Sequence, residues 1–179
     1  MSKINISKED IAFFGEEVPQ EKDIIFSSYA LIANKVGRLY RWHSPIIITT
    51  EEIIFYQPLH SRFKEGINKV ELYKTHVFKN HKHIYISSWD IRPKYNERGA
   101  ETKNEFKTRW KSFQKTVLPH VINSMKEHLK YIEANKDNSE FYNDKDNMEL
   151  PWFGTEKKLE KHIQKVLPKF EKKLAKITK

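Results

Sequence analysis

Between Asp23 and Pro58 the chain strings together three apolar runs separated by very short polar breaks. Ile24, Ile25, Phe26, Leu31 and Ile32 make the first. Leu39, Tyr40, Trp42, Ile46, Ile47 and Ile48 make the second, and Ile53, Ile54, Phe55 and Tyr56 the third. Each run has the length of a strand and is too short for a core helix. β-Branched and aromatic side chains also fit a pleated, half-buried surface. Asn34-Lys35-Val36-Gly37 supplies turn residues, because Asn and Gly tolerate positive φ. Strands joined by breaks this short must run antiparallel, since a parallel pair needs a crossover of about a dozen residues. The chain therefore opens as a β-meander.

The strand pattern continues through Val70–Tyr73, His76–Phe78 and His83–Trp89. In the last of these, His83, Tyr85 and Ser87 alternate with Ile84, Ile86 and Ser88, as a strand with one buried face requires. Asn80-His81 reads as the turn before it, and Arg92-Pro93 to Gly99 as a polar loop. From Asn104 the period changes. Phe106, Trp110, Phe113, Val117, Val121, Met125, Leu129 and Ile132 recur at intervals of three and four, one stripe of a helix. Pro119 interrupts the stripe and predicts a kink or a fresh start. Residues 137–154 are rich in Asn and Asp and read as a linker, with Trp152 and Phe153 as an anchor. A second helix, Glu156 to Ile177, sets Leu159, Ile163, Val166, Phe170, Leu174 and Ile177 on one face and mostly Lys on the other, again with a mid-helix proline, Pro168. The expected organisation is a lead-in segment at 1–22, a barrel with its capping helix at 23–136, a linker at 137–154 and a basic amphipathic helix at 155–179. The fold class is α+β.

Three segments carry a family likeness: Gly15-Glu16-Glu17-Val18 leading into Ile24-Ile25-Phe26-Ser27-Ser28, then Gly37-Arg38-Leu39-Tyr40-Arg41-Trp42, then Ile46 to Tyr56. Over about residues 15–135 the chain resembles the PH-like superfamily, nearest its bacterial-type PH, GRAM and GLUE branches. The resemblance implies a partly open antiparallel β-barrel of short strands capped by a long helix, with Trp110 and Phe113 as the barrel plug. In lipid-binding members a basic motif on the first hairpin grips inositol phosphates. The matching residues here are Lys35, Arg38 and Arg41. A spacing of three on a strand sends Arg38 and Arg41 to opposite faces, which speaks against a phosphoinositide site. Members of the GLUE branch bind ubiquitin within membrane-remodelling machinery and have a helix after the domain, to which Gly154-Thr155-Glu156-Lys157-Lys158-Leu159-Glu160 is loosely similar.

Charge divides unevenly along the chain. Residues 155–179 hold nine Lys and three Glu, a net of +6 out of the chain's +9. The rest is close to balanced. A nucleic-acid domain carries its basic patch on the folded surface, so a patch confined to one terminal segment makes nucleic acid the lesser expectation. Lys157, Lys158, Lys161, Lys165, Lys169, Lys172, Lys173 and Lys176 are the candidate membrane- or partner-binding residues. Opposite an apolar stripe, such a face suits an anionic membrane, a partner helix, or plain solvation with the stripe packed on the preceding helix. Packing is the expectation favoured here, because amphipathicity is what any docked helix displays.

Catalytic and metal signatures are thin. There is no Cys, which removes disulfides, thiolate nucleophiles and Cys-ligated zinc. His81 and His83 fall on one face if extended but have no third ligand, so an exposed hairpin is the better account. Glu16-Glu17 and Glu51-Glu52 are adjacent and diverge on extended backbone. No glycine-rich phosphate loop or nucleophile elbow occurs. The sequence therefore predicts no enzyme, no cofactor and no small-molecule substrate. It predicts an adaptor that recruits a protein partner, ubiquitin among the candidates, or an anionic membrane lipid. The alternatives are a small nucleic-acid-binding protein using the Lys-rich helix and a structural subunit of a larger assembly. MSKINISKED has no apolar signal core, and no window has the roughly 18 apolar residues of a membrane span. A cytoplasmic location follows, with peripheral membrane association open.

Overall fold

Ile46, Ile47 and Ile48 stand in a row with no polar residue between them, and all three are fully buried. Neighbouring side chains of a strand point to opposite faces, so both faces of this one must be covered. The structure, a computed structural model, describes residues 14–15, 23–34, 41–59, 65–79, 83–93, 103–143 and 153–179. Its strands are β1 (Phe26–Asn34), β2 (Arg41–Ile48), β3 (Glu52–Gln57), β4 (Gly66–Glu71), β5 (Thr75–Lys79), β6 (His83–Ile86) and β7 (Trp89–Pro93). They form one antiparallel sheet in the order β4-β3-β2-β1-β7-β6-β5, curled into a half-barrel. Ile46 and Ile48 face the barrel interior with Phe26, Ile53, Phe55 and Ile86. Ile47 faces outward and packs with Phe14, Ile24 and Ile54. Residues ahead of β1 thus cover the outer face of β2 and β3, and the run needs no alternation.

Pro45 has no N–H to give the sheet, and the regular β2–β3 register stops at Ile46↔Phe55 beside it. Side chains take over there. The Ser44 hydroxyl accepts from the Tyr56 N–H at 3.0 Å, and the Trp42 indole N–H donates to the Tyr56 carbonyl at 2.6 Å. The same Trp42 ring meets Trp89 edge-on at 5.7 Å, and Phe55 meets Trp89 at 5.1 Å. These rings fill the barrel interior.

The edge strands β4 and β5 are consecutive in the chain, joined by a single 3-10 turn at Leu72–Lys74. The Leu72 N–H donates to the Glu51 carbonyl at 2.7 Å, and the Ser87 N–H donates to the Lys74 carbonyl at 3.0 Å. The corner is therefore tied to the β2–β3 turn on one side and the β6–β7 turn on the other.

Helix α1 (Lys103–Asn135) follows the sheet and drives Phe113, Val117, Leu118, Val121 and Met125 into the barrel core. The Phe113 ring lies 4.3 Å from that of Phe26. A short α2 (Ser139–Asn143) begins where Asn138 Oδ1 accepts from the N–H groups of Glu140 and Phe141. Helix α3 (Glu156–Thr178) is capped by Thr155, whose hydroxyl accepts from the Lys158 N–H at 3.1 Å. Both helical prolines lie inside continuous helices. Pro119 and Pro168 are exposed, as are Lys115 and Gln164 four residues earlier. The carbonyls that each proline deprives of a partner thus face water, which limits the disruption.

Several expectations need correction. His83–Trp89 is not one strand: it turns at Ser87-Ser88, with Ser87 at φ 49°, and Trp89–Pro93 forms a seventh strand that takes in Arg92 and Pro93 of the expected loop. Ser-Ser carries little turn signal, so the alternation ran on through the turn. The fourth strand is Gly66–Glu71 and gives way to the 3-10 turn where Val70–Tyr73 was expected. Residues 139–143, expected in a linker, are helical: Phe141 packs edge-on against Tyr131 at 5.4 Å.

Candidate functional site

The amphipathic pattern of α3 dictates how it docks. Leu159, Ile163, Val166 and Phe170 are buried in the main core, with Leu167, Leu174 and Ile177 packed against its margin. This face lies on α1 and, more lightly, on α2 and β5. Burying four large apolar side chains at about 2 kcal/mol each contributes on the order of 8 kcal/mol before ordering costs. The helix is part of the folded body.

The three acidic residues of α3 all turn toward that body. Glu156 meets His128 of α1 at 3.0 Å, with both side chains less than a tenth exposed. The Tyr73 ring lies flat on the same imidazole, 3.8 Å away and 3° from parallel. Glu160 accepts from the Tyr142 hydroxyl, and this bond is the main reason that the phenol pKa is raised. Glu171 pairs with Lys126 of α1 at 2.7 Å. Nearer the sheet, His76 of β5 stacks on Phe153 at 4.7 Å and meets His162 edge-on at 4.6 Å. Burial pushes the His162 imidazole below its ordinary pKa.

The lysines face the other way. Lys157, Lys158, Lys161, Lys165, Lys169, Lys172 and Lys176 are exposed, whereas Lys173 is half-buried and burial lowers its pKa. Lys157 sits over the Tyr142 ring at 5.8 Å. Among the described residues, Lys158, Lys161, Lys165, Lys169, Lys172 and Lys176 form no ion pair. Like charges four apart on a helix repel by a few tenths of a kcal/mol per pair. Among the described residues, no carboxylate on this face offsets that cost.

The first-hairpin candidates cannot be assembled in the same way. Arg41 is exposed at the start of β2, and Lys35 and Arg38 lie outside the described residues. Of the expected plug, Phe113 is buried in the core, and only the helical backbone of Trp110 is described. His81 lies outside the described residues, and only the backbone of His83 is described. Among the described residues, no three His, Asp or Glu side chains converge as a metal site would need, and no helix is long and apolar enough to cross a membrane.

The docking residues His76, His128 and His162 escaped the sequence reading. Single histidines on an edge strand or at a helix margin look like surface positions. Only Glu156, acidic in a first turn behind a Thr cap, carried a local signal, and that signal was for capping. No protein-family model matches the chain, and no curated protein matches it. The curled seven-stranded sheet with its following helix is compatible with a PH-like fold.

Proposed function

We propose that the chain is a non-enzymatic adaptor of the PH-like type, in which the half-barrel and α1 hold α3 as a rigid bar and the lysine face of that bar recruits an anionic partner surface. One observation carries the reading. The acids of α3 are spent on the body, through His128, Tyr142 and Lys126, while its exposed lysines form no ion pair among the described residues. Sorting charge this way keeps the cationic face unmasked and fixed in position. A mobile tail would have to be ordered on binding; a docked helix is ordered already.

Docking also bears on how a membrane would be met. Interfacial helices bind bilayers by sinking an apolar face among the acyl chains, and that face of α3 is occupied by the core. Contact with an anionic bilayer would be electrostatic adsorption alone. The PH-like resemblance keeps an acidic protein partner in view, ubiquitin included through the GLUE branch.

The test compares full-length protein with a Lys161→Glu, Lys165→Glu, Lys169→Glu, Lys172→Glu variant on three anionic probes: phosphatidylserine vesicles, polyglutamate and duplex DNA. The variant should lose binding to whichever probes the parent binds, with its circular dichroism unchanged. A parent that binds none of the three at low salt would sink the reading.

A further inference from the structure

We infer that the lysine face of α3 is a sequence-independent docking rail for the phosphate backbone of double-stranded DNA. The inference rests on the cationic-face reading and names the partner. Sequence alone argued against nucleic acid because the basic charge sat on one terminal segment, apart from a balanced body. The structure removes that objection. With α3 packed into the main core, the segment's lysines become a patch on the folded surface, which is how nucleic-acid domains carry their charge.

The lysine face is long enough to reach several phosphates of a duplex. The seven exposed lysines from Lys157 to Lys176 span about 28 Å at the rise of an α-helix, one charge per ~4 Å. One strand of duplex DNA presents a phosphate per ~3.4 Å of axis. Side-chain chemistry narrows the partner further. Helix α3 contains no Arg, and its one Phe, Phe170, is buried. The exposed face thus lacks the guanidinium forks and aromatic platforms of many sequence readers and single-strand binders, and its exposed amide, Gln164, is already donating to Glu160 at 3.2 Å. Lysine is a point charge suited to phosphate. Lysine is also depleted from protein–protein interfaces, and the apolar face that a bilayer would take is already buried.

The experiment uses the full chain and fluorescence anisotropy with two 24-base-pair DNA duplexes of unrelated sequence, titrated across salt concentrations. The arms are one isolated strand, phosphatidylserine vesicles and polyglutamate. Both duplexes should bind within about threefold of each other, more tightly than the single strand. The log–log salt slope should be about −4 or steeper. A Lys161→Gln, Lys165→Gln, Lys169→Gln variant should flatten that slope by about 2 to 3. A control variant, Lys107→Gln, Lys111→Gln, Lys115→Gln, removes the same charge from exposed positions of α1 and should leave the slope nearly unchanged. Equal flattening in the two variants would show that net charge alone binds, and the rail falls. A tenfold preference between duplexes, or a single strand bound as tightly as either, also overturns it. Binding to vesicles or polyglutamate without duplex leaves the cationic-face reading standing and the inference refuted. Binding to nothing ends both.

Discussion

His128 on α1 and Glu156 on α3 come within 3.0 Å, with the Tyr73 ring stacked on the imidazole. That contact joins the first turn of the lysine-bearing helix to the capping helix and to the corner between the sheet's two edges. Three elements converge on one buried polar bond, so its loss should loosen α3 more than its single distance suggests.

Glu156→Ala is expected to destabilise the protein by about 2 kcal/mol, since it strands a buried imidazole without its partner. Lys126→Ala breaks the exposed Lys126–Glu171 pair and should cost about 0.5 kcal/mol or less. Urea unfolding of the two variants side by side checks the contrast; equal losses would refute it.

Phe113→Ala should cost about 4 kcal/mol, because it opens a cavity where α1 meets Phe26 at the barrel interior. The measurement is again the unfolding midpoint. A loss below about 1 kcal/mol would mean that the helix does not plug the barrel through this ring.

Pro119→Ala should stabilise the protein, by about 1 to 3 kcal/mol. The exposed proline withholds an N–H from the interior of a long helix, and alanine restores it. Differential scanning calorimetry reads the rise in Tm. A fall would show that the proline sets a bend on which packing depends.

Acid should weaken the body through His162. Burial is the main cause of its lowered pKa; the Thr75 backbone bond works in the opposite direction, and nearby Lys165 lowers it further. A base with a depressed folded-state pKa gives stability that is complete above its ordinary value of 6.5 and is lost as pH falls through the lower folded value. Half-buried His120 has the same sign for the same reason. The Tm of the parent should drop more between pH 7.5 and pH 5 than that of His162→Phe, which keeps a ring against Phe153. Parallel Tm curves for the two proteins would exclude the ring as a source of acid sensitivity.

The strands were legible where sequence and environment share a period. The Ile24–Tyr56 region declares short antiparallel strands by composition, and the α1 stripe from Phe113 onward and the α3 stripe lie in the core or against its margin. What escaped were features set by partners distant in the chain. The Ser87-Ser88 turn is held by the Lys74 carbonyl, thirteen residues back. Tyr56 is bridged by side chains of Trp42 and Ser44 in place of the ladder. The outward Ile47 and Ile54 needed Phe14 and Ile24 to explain them. The lysines of the candidate site were visible in sequence. That the intervening acids would pair with the body rather than with these lysines depended on where α1 put His128 and Lys126.

Strand β1 lies between β2 and β7, with Ala33 opposite Arg41 on one side and Asn34 opposite Trp89 on the other. As the chain leaves the ribosome, β2 arrives almost at once, but the second edge of β1 stays bare until Trp89–Pro93 has emerged. Nascent chains stalled in between would expose an unpaired strand, the usual template for misassembly. Closure of the sheet is therefore a late event in biogenesis, and capture by holdase chaperones should concentrate in that interval of synthesis.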